Sequence, residues 1–155
     1  MIQRIQTLYL LAVSLLAALT FFLPLASFTT EAGTATFKAY ELIGTDGVVE
    51  KVPSYLMFLM LVAMWLPLYI VFLYKKRLAQ IRFCAVEVVL LLGVLVIETL
   101  YCYRLYTLYR ESFEAFAAEF HWPLVCPLVA LLFVWLAMRA IFKDEMLVRA
   151  ADRIR

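Results

Sequence analysis

Histidine occurs once in this sequence, at His121, and glycine only four times in 155 residues. A single imidazole gives no histidine cluster for a metal and no second ring to work beside a nucleophile; HExxH and GxSxG are both absent. Four scattered glycines build no phosphate-cradling loop. Cys84, Cys102 and Cys126 show neither CxxC nor Cys/His ligand spacing. Charge is scarce as well, at 17% of residues with a net value of +2. No basic patch interleaved with aromatics is present, which removes nucleic acid as a partner. The chain is therefore expected to hold no cofactor or metal and to carry no catalytic group.

What the sequence does have is apolar residue, 66% of the whole, far above the composition of a soluble domain. It falls into four runs, at about 7–28, 55–74, 83–106 and 123–142, each near the roughly 20 residues a helix needs to cross a bilayer. The expectation is one domain, an all-α integral membrane protein with four transmembrane helices. Loops 29–54 and 107–122 then share one side, and loop 75–82 with tail 143–155 the other. Arg4, Lys75, Lys76, Arg77, Arg82, Arg139, Lys143, Arg149, Arg153 and Arg155 fall on the tail side, against Lys38, Lys51, Arg104 and Arg110. That bias places both termini in the cytoplasm. The run at 7–28 is too long for an ordinary signal peptide, although Leu25-Ala26-Ser27 resembles a cleavage site.

Between the first two spans, β-prone residues flank an Asp46-Gly47 turn, the signature of a small β-hairpin-like outer loop. In 107–122, Phe113, Phe116, Ala117 and Phe120 recur at helical spacing and predict a short amphipathic helix on the outer interface. Tyr101, Tyr103, Tyr106, Tyr109 and Trp122 are expected to form the outer aromatic belt, with His121 an interfacial polar residue. Met57, Met60 and Met64 lack a Cys or His companion and serve packing. The basic loop 75–82 is explained by topology, with a lipid headgroup site as the alternative.

Inside the spans the informative residues are polar. Glu87 and Glu98 lie eleven residues apart, close to three helical turns, so both project from one side of the third helix toward protein or water. Glu87 and Arg139 fall about 6 and 5 Å inside the inner boundary at 1.5 Å per residue and are expected to form an ion pair or share water there. Glu98 is deeper, level with Thr20 on the first helix. It is expected to face that helix or an internal water, to be neutral, and to donate a hydrogen bond to Thr20 or to a backbone carbonyl. Cys102 and Cys126 share an outer depth, but bonding needs Cβ atoms about 4 Å apart, so free thiols are expected. Beyond the fourth span a cytoplasmic helical tail offers a possible partner-docking surface built from Asp144, Glu145, Leu147, Arg149, Asp152 and Arg153, with Glu145 and Arg149 at pairing distance.

The opening MIQRIQTLYLL at 1–11, LPLASF at 23–28 and the closing KDEMLVRAADRIR at 143–155 together resemble a Bacteroidota family of small four-helix inner-membrane proteins catalogued only as a domain of unknown function. The resemblance implies a bacterial inner-membrane address and supplies no activity. The leading functional expectation is a non-catalytic scaffold or accessory subunit that sits in the lipid bilayer beside a membrane-protein partner or as a homo-oligomer. The alternative is a small transporter, proton-coupled carrier or lipid-handling protein using Glu87 and Glu98.

Overall fold

The computed structural model describes residues 2–51, 54–74 and 76–152, with side chains for 5–50, 54–74 and 76–148. Four long helices are joined by strands at one end. In chain order they are α1 (Ile2–Phe22), β1 (Ala26–Thr30), β2 (Gly33–Phe37), β3 (Glu41–Ile43), β4 (Val49–Lys51), α2 (Ser54–Phe72), α3 (Arg77–Ser112), β5 (Phe116–Phe120), a 3₁₀ turn (Trp122–Val125) and α4 (Cys126–Asp152). All four helices are long and apolar enough to span a membrane, and the outward faces are apolar too. Leu8 and Leu15, Phe58 and Trp65, Val89 and Val96, and Leu128 and Leu132 are all exposed on them. Such a surface suits a bilayer interior. The protein is a multi-pass membrane protein.

The buried positions repeat every three to four residues on each helix. Leu56, Met60, Ala63, Pro67 and Ile70 do so on α2, and Ala130, Val134, Ala137 and Ile141 on α4. This is the seam of a left-handed bundle, and its alanines let the backbones approach closely. α1 and α3 each pack against both α2 and α4, which sets α1 and α3 at opposite corners. Pro67 withholds the N–H that would have served the Ala63 carbonyl. At the next carbonyl, Met64 O, α1 adds a bond: Ser14 Oγ donates to it at 2.9 Å.

The strands form one antiparallel sheet in the order β4-β3-β2-β1-β5, larger than the expected hairpin, which is its β3–β4 portion around Asp46-Gly47. The first span stops at Phe22 and not at 28. Pro24 biases its neighbour toward extended backbone, and Ala26–Thr30 follows as a strand paired on both sides, with β2 and β5. The amphipathic helix expected over 107–122 does not form. α3 runs on to Ser112, Phe113 turns extended (φ −133°, ψ 136°), and Phe116–Phe120 pairs with β1. His121 extends that pairing, its N–H donating to Leu25 O at 3.0 Å and its Nε2 hydrogen-bonded to Ser27 Oγ at 2.7 Å.

One face of the sheet closes the bundle. Phe28, Ala35, Phe37 and Leu42 are buried under it, where Phe28 stacks on Tyr109 with centroids 5.4 Å apart and Phe37 meets Tyr101 at 5.3 Å. Three tyrosines expected in a lipid belt, Tyr101, Tyr106 and Tyr109, thus form a platform for the sheet, whereas Tyr103 and Trp122 stay exposed. Because α3 starts at Arg77, most of the expected 75–82 loop is helix.

Candidate functional site

The buried stripe of α3 is Gln80, Cys84, Glu87, Leu91, Val94, Glu98, Cys102 and Leu105. Steps of three and four residues keep these side chains on one line facing the bundle axis. Both glutamates on that line have no exposed surface, and none of their four carboxyl oxygens has a hydrogen-bond partner. Between them, one turn from each, Leu91 and Val94 line a central cavity of about 10 Å³ together with Ala17, Thr20, Met60, Ala63 and Pro127. All four helices contribute to it. Such a volume is near the minimum for a single water.

Neither expected direct contact is made. Arg139 is exposed and lies over the Trp135 ring, 5.5 Å from its centroid, while Glu87 is unpartnered. The reason is rotation. α4 buries Ala137 and Ile141, and a residue two positions past Ala137 is turned about 200° away from the seam. Equal depth does not bring the two side chains to one face. Thr20 is buried at the level expected, but its Oγ1 donates to Leu16 O at 2.9 Å and approaches Pro123 O at 3.4 Å, not Glu98. Diagonal placement of α1 and α3 gives it nearer acceptors on its own helix and in the 3₁₀ turn.

All three cysteines are free and buried. In the tail, α4 continues unbroken through Asp152. Asp144 engages Arg77 at the start of α3: Nη2 is 3.6 Å from Oδ2, and Nη1 donates to the Asp144 carbonyl at 3.2 Å. Leu147 is exposed, and Glu145 lines a cleft beside Arg77. The side chains of Arg149 and Asp152, the pairing of Glu145 with Arg149, and Arg153 altogether lie outside the described residues.

Two buried glutamines escaped sequence reasoning, which began the first apolar run after Gln6. Gln80 continues the α3 stripe four residues before Cys84, and its Nε2 donates to Ile70 O at 2.9 Å, stapling α3 to α2. Gln6 begins the α1 stripe that continues through Leu10, Val13 and Ala17, and its Nε2 is buried without an acceptor. The signal was the periodicity: each glutamine stands one turn before a core residue of its own helix.

No curated protein matches the sequence. The family described as a domain of unknown function (DUF4293) matches residues 2–154, nearly the whole chain, and the protein belongs to that family.

Proposed function

We propose that this protein is a non-catalytic subunit or scaffold of the bacterial inner membrane, with both termini in the cytoplasm and the sheet on the outer side. The observation that carries the reading is the sheet. Its inner face is spent on the helices, and its outer face presents Thr29 and Thr34 beside Ala117 and Glu119. Among the described residues, β4 and β5 each keep one edge unpaired. Open edges are templates for a strand of another chain. The close-packed bundle with its small central cavity supports the same reading, since a carrier needs a lined path. The ten-to-four division of basic residues supports the orientation.

The test is purification in mild detergent after photo-crosslinking from positions 29 and 117. A stoichiometric partner, or a second copy, crosslinked at the sheet is the expected result. A lone monomer with no crosslink at either position would defeat the reading.

One observation favours a second reading, a small proton-coupled carrier: the four unpartnered carboxyl oxygens of Glu87 and Glu98. Ionisable groups in a bilayer are costly and commonly mark a transport path. Proton flux into liposomes that is abolished by Glu98→Gln would favour the carrier over the scaffold.

A further inference from the structure

At the end of the bundle away from the sheet lies a cleft of about 690 Å³, lined by Tyr74, by Lys76, Arg77, Leu78 and Ala79 at the start of α3, and by Glu145 and Val148 on α4. Its size falls within the roughly 300–1,000 Å³ of small-molecule sites. Three features give it chemistry.

First, α3 opens uncapped. Lys76, at the N-cap position, makes no side-chain capping bond, and the amides of the first turn have no acceptor within the helix. The positive end of a 36-residue helix therefore faces the cleft. Second, Arg77 is anchored without being used up. Its two contacts to Asp144 leave further N–H donors of the guanidinium for an oxyanion. Third, Tyr74 and Arg77 also line an adjoining chamber of about 20 Å³, which Gln6 and Gln80 share. Gln80 is satisfied by Ile70 O. Gln6, only 6% exposed, has an Nε2 with no acceptor. A buried amide donor behind a cationic mouth lacks an oxygen.

Among the described residues the lining of the cleft carries both signs, Lys76 and Arg77 against Glu145, with Asp144 on Arg77. A zwitterion fits both signs. The rim also carries apolar side chains, with Leu78 and Val148 both exposed. We propose that this cleft binds the headgroup of an aminophospholipid. The phosphate rests on the first turn of α3 with Lys76 and Arg77, and one phosphate oxygen accepts from Gln6 through a single water, for which the chamber has room. The ammonium turns to Glu145, and the acyl chains run along Leu78 and Val148.

Native mass spectrometry of the full chain in detergent tests this, with phosphatidylethanolamine, phosphatidylglycerol and phosphatidylcholine offered separately, and with soluble phosphoethanolamine and inorganic phosphate as lipid-free probes. Phosphatidylethanolamine should be retained about tenfold better than the other two lipids, since phosphatidylglycerol lacks the ammonium and phosphatidylcholine has no N–H for Glu145. Lys76→Gln should weaken retention with the unfolding temperature near the parent's, and Gln6→Leu should weaken it without lowering that temperature, because neither removes a bond within the fold. Glu145→Gln should abolish the preference over phosphatidylglycerol. Equal retention of all three lipids, or unchanged retention in both Lys76→Gln and Gln6→Leu, would overturn the site. Binding of phosphoethanolamine or phosphate as tightly as the lipid would overturn its assignment to a membrane lipid.

Discussion

Glu87 and Glu98 each bury two carboxyl oxygens without a bond, the least compensated groups among the described residues. An unbonded buried polar group costs about 1–3 kcal/mol by mutational measures, and leucine is similar in bulk to glutamate. Glu87→Leu and Glu98→Leu should therefore each raise the unfolding temperature in detergent, and a fall for either would show that its carboxyl has a partner in the folded protein. The separation of these acids was legible as one helical face because both belong to one helix of fixed pitch. Their partners were not. Depth follows from rise per residue, but whether Arg139 or Thr20 faces α3 depends on the rotational phase of another helix, which only the packing of Ala137, Ile141, Leu10 and Val13 sets. At the rim of the sheet, Lys38 Nζ lies 2.6 Å from Glu41 Oε1, and this hydrogen bond raises the Lys38 ammonium above the ordinary lysine value of 10.5. A folded-state value raised in this way contributes stability in full below pH 10.5 and loses it as pH climbs through the folded value. The pair is partly solvated, so the deficit of Lys38→Met should be no more than about 0.5 kcal/mol near pH 8. Unfolding of parent and variant should converge at more alkaline pH.

Among the elements, β5 is the instructive case. Phe113, Phe116 and Phe120 satisfy a helical period, while Phe116, Ala118 and Phe120 satisfy a strand period equally well. The free edge of β1 decides between them, and that edge is invisible until the first span is known to end at Phe22. The register places Thr29 opposite Ala117. A Thr29→Cys/Ala117→Cys double variant should accordingly crosslink under mild oxidation, seen as faster migration in a non-reducing gel; a helix over 107–122 would leave both thiols free. The turn residues were easier to read, since Asp46-Gly47 announces its hairpin. Gly33 was not singled out, yet its backbone has φ +141° and a Cβ there would lie 2.6 Å from Thr45 O. Gly33→Ala should cost about 1–3 kcal/mol through backbone strain and displacement of the β3–β4 turn. Gly47→Ala has open space around it and only its φ of +76° to oppose, so it should cost about 1 kcal/mol. Thermal unfolding of the two variants side by side gives the ranking.

At the scale of the whole molecule, composition alone carried the four spans, because no soluble packing hides so much apolar surface. The proposed orientation rests on the placement of basic residues and makes a direct prediction. In intact cells a membrane-impermeant maleimide should label Thr29→Cys and leave Lys143→Cys untouched until the membrane is permeabilised; the reverse pattern would invert the topology. Native Cys84, Cys102 and Cys126, at 0%, 3% and 4% exposure, are too buried to obscure the result. The sheet also imposes an order of events during synthesis. Its two halves lie far apart in the chain, with 94 positions separating Ser27 from His121. While a ribosome is still feeding the second and third helices into the bilayer, β1 has one neighbour and an open flank. It gains the other only after α3 has crossed and β5 has emerged beside it. The sheet is therefore completed only after three of the four helices have been made, and the nascent chain carries an unpaired strand edge through most of its own insertion.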